Sequence, residues 1–392
     1  MHFISKNLYK TLKKFKKKKL YLHEPDLSLK QDFNNLKTCI QRNEVSATGS
    51  FVKEFEKKIS KITGSKYVVS TNSGTSALHV SCILSGITKN DEVLLPAFTF
   101  VASANSIIYC QATPHFVDTK KNELTIDFEK LDIYLNKITR KVNNKTINRN
   151  TNKVIKAIMV VHPYGQPADC DKMIKIAKKY NLKIIEDAAD ALGSFFSKKH
   201  VGTFGKLGVL SFNGNKIVTC GSGGAILTDD KKLAEKARIL ITTSKIIHKF
   251  KVEHSGLGYN YRMSNINAAL GLSQLNRFYK TINYKKKIHN FYKYELNKNY
   301  LEIQTENKNQ QFNHWLQIAI IAKKYKSKVD LILKELTGKN FFLRKGWELM
   351  INLKHLKNYP RMNLNCSKDL QSRLINLPSS TFLIDKLKET NK

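Results

Sequence analysis

One lysine in the middle of the chain stands in surroundings that suit carbonyl chemistry. Lys216 lies in SFNGNKIVTCGSGG, where a short apolar approach and Asn-Gly-Asn precede it and small residues follow. Glycines let a backbone come close to a flat ligand. A lysine amine in a partly desolvated pocket can lose its proton and attack an aldehyde. Taken alone, the segment is equally typical of an exposed loop, and most loop lysines are of that kind.

Two further segments place polar residues at the ends of apolar strands. In STNSGTSAL, residues Gly74, Thr75 and Ser76 stand where a strand turns into a helix. Free N–H groups and hydroxyls at a helix start can bind an anion, although the same residues also cap ordinary helices. In IIEDAADALGS, Glu186 and Asp187 follow apolar strand residues. They are interpreted as either a helix cap or a functional acid.

The three segments together match what pyridoxal phosphate requires. Its phosphate needs backbone N–H groups, its pyridine nitrogen needs a carboxylate to stay protonated, and its aldehyde needs a lysine amine. The order along the chain is phosphate loop (residues 74–76), acid (Glu186 or Asp187) and lysine (Lys216). We therefore expect pyridoxal 5'-phosphate as the cofactor and no metal site.

The elements that must position these residues alternate between strand and helix. Apolar runs such as VIKAIMVV, typical of buried parallel strands, alternate with amphipathic segments such as DCDKMIKIAKKYN. This pattern predicts an α/β fold with a mostly parallel sheet, whose ligands bind at the carboxyl ends of the strands. Residues 141–152 have no apolar pattern and are predicted to be a surface loop.

The chain divides by texture into three parts. From about residue 270 long polar helices and isolated strands such as LEIQ replace the regular alternation. The prediction is a basic N-terminal extension (1–21), a large cofactor-binding α/β domain (22–265) and a smaller α+β domain (266–392). Residues 1–21 are interpreted as a solvated tail, with a basic amphipathic helix on anionic lipid as the alternative.

Composition limits the remaining classes of protein. The 392 residues include 41% hydrophobic residues and carry a formal net charge of +37, spread along the whole chain. Scattered charge of this kind favours compositional bias over nucleic-acid binding, and it would steer anionic substrates to the protein. The six cysteines form no CxxC pair and no zinc spacing. Without an apolar run of spanning length or a secretory signal, we expect a cytoplasmic protein.

The chain resembles the DegT/DnrJ/StrS family of aminotransferases, which have the type I fold of pyridoxal-phosphate enzymes. The matching stretches include SGTSAL, DEVLLPAFTFVASANSIIYCQATPHFVD, HPYGQPADCD, EDAADALGS, GVLSFNGNKIVTCGSGGAILTDD and GYNYRMSNINAALGLSQL. They extend over about residues 22–382, and the details look most like the branch that makes 4-amino sugars for legionaminic acid or bacillosamine. The resemblance implies a three-layer α/β/α large domain with a smaller α+β domain behind it.

The resemblance also implies roles for individual residues. Lys216 would form the Schiff base with the cofactor, Asp187 would pair with the pyridine nitrogen, and Phe100 would stack on the ring. Asn260 would reach the phosphate of the neighbouring subunit, and Arg262 would lie near the same shared site, which makes the active site a property of a homodimer. The phosphate would be held by the loop and strand residues Gly74, Thr75, Ser76 and Ser211.

Four positions depart from the family pattern or have weaker assignments. Asp190 falls where the family often has Gln or His near the ring oxygen of the cofactor, so its role is open. Ser222 replaces an often acidic or glycine residue. His314 and Trp315 are expected to border the sugar pocket, with a strand of the small domain as the alternative.

The reaction implied is a transfer in two halves. The amino group of L-glutamate would pass through the cofactor to C4 of a nucleotide-linked 4-keto-6-deoxy sugar, expected to be the UDP-linked 2-acetamido form. A 3-amino or perosamine-type product, and GDP as the nucleotide, stay open. The other classes considered are a non-catalytic cofactor-binding regulator and a basic binder of nucleic acid or membrane surfaces. The presence of Lys216 and Asp187 favours an enzyme.

Overall fold

The structure is a computed structural model that describes residues 1–27 and 30–388. Its α-helices are α1 (Phe3–Lys13), α2 (Lys30–Gln41), α3 (Ser50–Thr63), α4 (Gly74–Leu84), α5 (Val101–Tyr109), α6 (Phe128–Ile138), α7 (Cys170–Lys179), α8 (Lys231–Leu240), α9 (Asn265–Asn276), α10 (Phe278–Glu295), α11 (Val329–Thr337), α12 (Asn365–Gln371) and α13 (Leu383–Lys388). None of the described helices is both long and apolar enough to cross a membrane.

A mixed sheet forms the centre of the large domain. The strands of the chain are β1 (Tyr67–Thr71), β2 (Asp91–Pro96), β3 (Thr113–Val117), β4 (Thr139–Val142), β5 (Lys145–Asn148), β6 (Val154–Val161), β7 (Lys183–Asp187), β8 (Phe195–Phe196), β9 (Lys199–His200), β10 (Leu207–Ser211), β11 (Gly224–Thr228), β12 (Lys245–Ile247), β13 (Val252–His254), β14 (Leu301–Ile303), β15 (Gln310–Gln311), β16 (Gln317–Ile321), β17 (Arg344–Lys345) and β18 (Leu374–Leu377). The main order in the large sheet is β1-β11-β10-β7-β6-β2-β3.

The large sheet confirms the predicted α/β fold. Strands β10, β7, β6, β2 and β3 pair in parallel, whereas β11 runs antiparallel to both of its neighbours. Every residue of β2, and most of β6, is buried, as parallel strands covered on both faces require. Helices that return the chain between parallel strands leave the carboxyl ends of β7 and β10 at one edge, where the candidate residues lie.

A short hairpin replaces the loop predicted at residues 141–152. Strands β4 and β5 pair antiparallel through the two-residue turn Asn143–Asn144, and β5 then joins β6 at the sheet edge. Both asparagines have positive φ, 47° and 60°. Asparagine tolerates this conformation, which two-residue hairpin turns require. The prediction was wrong because Val142 and Ile147 are the only apolar residues of this segment, too few for a period-two pattern.

The smaller domain is built on a four-stranded antiparallel sheet with the order β14-β16-β18-β17. Helices α10, α11 and α13 contribute buried residues to its separate apolar core. This agrees in class with the predicted α+β domain. Helix α9, however, packs against α2 and α3, and its buried side chains belong to the large core. The predicted boundary after residue 265 falls at the start of this helix and stays a prediction.

The basic N-terminal segment is part of the small domain and not a solvated tail. Ile4, Leu8, Leu12 and Phe15 are fully buried, and Leu20 is 1% exposed, all within the core of the small domain. These residues form one face of α1 and its continuation, while the lysines between them face outward. The prediction of a solvated tail was wrong because the apolar face is a core surface whose partner lies some 300 residues further along the chain. The same burial removes that face as a membrane-inserting surface.

Candidate functional site

The three predicted segments meet at one cavity of about 260 Å³. It lies at the carboxyl ends of β7 and β10 and extends to the small domain. Lys216, Asp187 and the first turn of α4 all contribute to its wall. The residues that line it are Ser73, Gly74, Thr75, Leu78, Thr99, Phe100, Ala102, Val161, Asp187, Ala189, Asp190, Ser211, Asn213, Asn215, Lys216, Ser222, Gly223, Trp315 and Trp347.

Asp187 is the carboxylate that faces this cavity. It is the last residue of β7 and is only 5% exposed. Ser103 donates a hydrogen bond to its Oδ2 at 2.7 Å, and the N–H of Ala189 donates to Oδ1 at 3.2 Å. Burial raises the pKa of the Asp187 carboxyl, and the bond from Ser103 offsets part of this. A cationic partner in the cavity would stabilise the buried carboxylate.

Glu186, the neighbouring acid, has a structural role. Adjacent strand residues point to opposite faces of a sheet, so Glu186 faces away from Asp187. Its carboxylate lies 3.1 Å from Nε2 of His162 and accepts bonds from the backbone N–H groups of Gly202, Phe204 and Gly205 at 2.6–2.8 Å. Burial alone would raise its pKa, but the bonds to His162 and to the backbone lower it. Of the two adjacent acids, Asp187 therefore lines the cavity and Glu186 faces away from it.

The start of α4 offers backbone N–H groups to an anion. Ser73 caps the helix by accepting from the N–H of Ser76 at 3.1 Å. The N–H groups of Gly74 and Thr75 belong to the first turn, whose donors have no partner within the helix. A Cβ on Gly74 would come 2.9 Å from Cβ of Ser211, so glycine is what lets the helix start lie against the end of β10.

Ser76 does not line the cavity, in contrast to the prediction. Its Oγ donates to Oδ1 of Asn72 at 2.6 Å and lies 2.8 Å from Oγ of Ser73. Because its hydroxyl serves the helix cap, Ser73 and Thr75 are the hydroxyl residues of this loop that reach the cavity. Ser222 also lines the cavity, and its hydroxyl donates to the carbonyl of Asn72 at 2.6 Å.

Lys216 extends its amine into the cavity. Nζ forms a short ion pair with Oδ1 of Asp190 and lies 4.1 Å from the centroid of the Trp315 ring. The lysine side chain is 15% exposed, so it is recessed without being sealed off. Trp315 is fixed in turn, because its Nε1 donates to the carbonyl of Asn215 at 2.6 Å. The recess expected for a reactive lysine is therefore present.

Asp190 is the ion-pair partner of the cavity lysine. Its Oδ2 accepts from the N–H of Tyr164 at 3.1 Å, and its carbonyl accepts from Asn313 at 2.7 Å. The bond from Tyr164 therefore orients the Asp190 carboxylate toward Lys216. The sequence left the role of Asp190 open, and the structure shows it in direct contact with the amine.

Aromatic side chains form much of the remaining wall. Phe100, the residue just before α5, lines the cavity and is 56% exposed, while Trp315 is 3% exposed. Trp347 also lines the cavity. It follows the short strand β17 and belongs to no motif, so it could not be predicted from the sequence. The fold places Trp347 and Lys216 in the wall of the same cavity.

Besides Ser76, three predicted site residues lie outside this cavity. His314 stacks on His289 with ring centroids 4.2 Å apart, and its Nε2 is 3.4 Å from Glu306, so it faces the interior between β15 and β16. The prediction that His314 borders the pocket therefore differs from the structure, whereas Trp315 does border it. Asn260 is exposed and Arg262 is half-buried, and neither lines the cavity of its own chain.

The residues of the cavity fit pyridoxal phosphate by their chemistry. A buried carboxylate with a raised pKa suits a protonated ring nitrogen, and the glycine-lined helix start suits a phosphate. The recessed amine of Lys216 suits an aldehyde. This combination on a largely parallel α/β sheet is that of a pyridoxal-phosphate-dependent enzyme.

The family follows from comparison with known proteins. Residues 28–388 match the model of the DegT/DnrJ/EryC1/StrS aminotransferase family, to which the chain belongs. A GDP-perosamine synthase of Escherichia coli O157:H7 is 34% identical over 310 residues, covering 79% of this chain and 80% of that protein. A UDP-4-amino-4,6-dideoxy-N-acetyl-beta-L-altrosamine transaminase of Campylobacter jejuni serotype O:23/36 is 35% identical over 263 residues, covering 66% of this chain and 65% of that protein.

A solved structure agrees in fold. PseC of Helicobacter pylori, an aminotransferase involved in the biosynthesis of pseudoaminic acid, superposes with a TM-score of 0.83 at 24% identity. The superposition covers 95% of this chain and 99% of that one. The fold and the family expected from the sequence are both confirmed.

Proposed function

We propose that the protein transfers the amino group of L-glutamate to C4 of a nucleotide-linked 4-keto-6-deoxy sugar, the UDP-linked 2-acetamido form being the first candidate. The observation that carries the proposal is the meeting of Lys216, Asp187 and the α4 start at one cavity. Relatives named for UDP- and GDP-linked amino sugars support the substrate class. The products are 2-oxoglutarate and the 4-amino sugar: the keto oxygen of the sugar and the amino group of glutamate change places.

The proposal gives separate tasks to Lys216, to Asp187 and to the phosphate-binding residues. When bound, pyridoxal phosphate withdraws electrons from the carbon that loses its proton. Asp187 keeps the proton on the ring nitrogen, and the first turn of α4 with Ser211 holds the phosphate. Nζ of Lys216 takes the proton from the α-carbon of glutamate and, in the second half, delivers a proton to C4 of the sugar.

A perosamine-type reaction is the second candidate, because the E. coli relative is named a GDP-perosamine synthase. The two candidates differ in the nucleotide and in the group at C2 of the sugar. The test supplies the holoenzyme with glutamate and either the UDP-linked 2-acetamido keto sugar or GDP-4-keto-6-deoxymannose, and follows the amino product by mass spectrometry. Amination of the UDP sugar at the higher kcat/KM supports the first candidate, and preference for the GDP sugar supports the second. If neither sugar is aminated, the proposal is contradicted.

The proposal includes a homodimer with a shared active site. Asn260 and Arg262 lie away from the cavity of their own chain, and Nε of Arg262 is buried without a hydrogen-bond partner among the described residues. Both observations support a role for them at the cavity of a second copy. Sedimentation of the holoenzyme should show a dimer, and mixing Lys216→Ala with Asn260→Ala chains should restore part of the activity that each lacks. A monomer with full activity would contradict this.

For the basic N-terminal segment, we propose at most an electrostatic contact with an anionic membrane surface. With the apolar face of α1 buried, exposed lysines between Lys13 and Lys19 are what an anionic surface would meet. Binding to anionic vesicles should then fall steeply with salt and be lost when Lys17, Lys18 and Lys19 become glutamine. Retention of the glutamine variant on anionic vesicles, or binding to neutral vesicles, would contradict an electrostatic contact.

A further inference from the structure

Trp347 presents a flat apolar face to the cavity. Its ring is half-buried and stacks on Tyr164, with centroids 4.1 Å apart and planes 24° apart. Phe100 lies beside it, with ring centroids 6.2 Å apart. Gly346, just before it, packs so closely that an added Cβ would come 2.8 Å from Leu374. The tryptophan is therefore held between a tight backbone approach and an aromatic support.

Tyr164 is the residue that holds this wall together. Its φ of 53° lies in the left-handed region, which is strained for an aromatic residue. Its N–H donates to Asp190, and its hydroxyl accepts from the N–H of Trp347 at 3.1 Å. Its ring also stacks on that of Trp315, with centroids 6.0 Å apart. One buried tyrosine thus joins the partner of Lys216 to both tryptophans, and strained residues fixed in this way cluster at functional sites.

We propose that Trp347, positioned by Tyr164, is the platform on which the sugar ring of the second substrate rests. A pyranose ring has an apolar C–H face that suits an indole, whereas glutamate is short and carries its charges at both ends. The proposal rests on the nucleotide-sugar function proposed above. It assigns Trp347 to the sugar half of the reaction and leaves the glutamate half to Lys216 and Asp187.

The two half-reactions separate this role from a merely structural one. Trp347→Leu should leave the rate of the glutamate half-reaction within about twofold of wild type, measured by the change in cofactor absorbance. The same variant should lower kcat/KM for the keto sugar by about tenfold, the size expected for loss of an aromatic contact. Tyr164→Phe, which removes the hydroxyl that accepts from the N–H of Trp347, should change the sugar half in the same direction by a smaller factor.

Binding can be measured without turnover, because Trp315 and Trp347 are the two tryptophans of the chain. In a Trp315→Phe holoenzyme, Trp347 is the sole indole, and addition of UDP-N-acetylglucosamine or GDP-mannose should change its emission. Calorimetry should give a Kd for the better of these two probes that rises about tenfold in Trp347→Leu. Tyr21→Leu removes an aromatic residue stacked on Phe342 outside the cavity and serves as the control.

The outcomes distinguish the inference from the function on which it rests. Equal loss of both half-reactions in Trp347→Leu would overturn the inference, since it would show a structural role. An unchanged Kd and an unchanged sugar half-reaction would overturn it as well. If the wild-type enzyme reacts with glutamate but aminates no keto sugar, the proposed function fails, while a probe Kd that depends on Trp347 would still support the platform.

Discussion

The amine of Lys216 is paired with the carboxylate of Asp190, and Asp190 is held in that position by the N–H of Tyr164. The residue proposed to carry the chemistry therefore has a fixed anionic neighbour. The ion pair with Lys216 includes Asp190 in the proposed reactive centre.

Asp190→Asn should bind the cofactor but react more slowly. The substitution keeps the size of the side chain and removes the charge that faces Lys216. Since a charge-assisted hydrogen bond contributes about 1.5–3 kcal/mol, we expect the glutamate half-reaction to slow by about tenfold or more. Stopped-flow absorbance of the holoenzyme measures this rate, and the absorption maximum of the bound cofactor should shift as well. Wild-type values for both would show that the ion pair has no part in the reaction.

Asp187→Asn should trade activity for stability. In the cofactor-free protein, burial raises the pKa of Asp187 above its ordinary value of 3.8, so the ionised group costs stability in the folded state. That cost is absent well below pH 3.8, grows as the pH rises through the folded pKa and is complete above it. The cofactor-free variant should therefore melt about 1–3 °C higher than wild type at neutral pH, with no difference at low pH.

The activity of the same variant should fall steeply, because an amide cannot keep the ring nitrogen charged. Cofactor content should stay near one per chain, which separates lost chemistry from lost binding. A variant with normal turnover, or one that melts lower than wild type when free of cofactor, would contradict the role given to Asp187.

Glu186→Gln should give the opposite result. The Glu186 carboxylate accepts from three backbone N–H groups and pairs with His162, so its loss should lower the free energy of unfolding by about 3 kcal/mol. Its pKa is lowered in the folded state, so its contribution is present above the ordinary value of 4.5 and is lost as the pH falls through the folded pKa. Denaturant unfolding at pH 7 and pH 4 tests this: the two proteins should differ less at the lower pH.

The adjacent acids show what the sequence could and could not predict. The pattern IIEDAA located the end of a strand and therefore the edge of the cavity. It did not decide which carboxylate faces the ligand, because that depends on which face of β7 meets the cavity. The same limit applies to Ser76, whose hydroxyl is used by the helix cap, and to His314, whose ring stacks on His289.

Other features were invisible because they depend on partners distant in sequence. The face of α1 looks like a membrane-binding or solvated segment until the core of the small domain is placed against it. Trp347 belongs to no motif, and only the packing of β17 and Tyr164 brings it to the cavity. By contrast, the alternation of strands and helices and the three polar strand ends depend on local pattern, and they were predicted correctly.

Point substitutions in α1 test its packing against the small domain. Leu8→Ala should lower the free energy of unfolding by about 2–5 kcal/mol, because Leu8 is fully buried in the small core. Lys10→Ala, on the same helix, serves as the matched control and should change stability by less than about 0.5 kcal/mol. Equal stability of the two variants in chemical denaturation would contradict the packing of α1 on the small domain.

Identification of the lysine that binds the cofactor tests the central claim most directly. The holoenzyme is reduced with borohydride, digested and mapped by mass spectrometry, with Lys216→Ala treated in parallel. The account predicts that the reduced cofactor is found on Lys216 and that the variant yields no such peptide and no transfer from glutamate to a keto sugar. Cofactor attached to a different lysine, or a Lys216→Ala protein that still aminates the sugar, would contradict it.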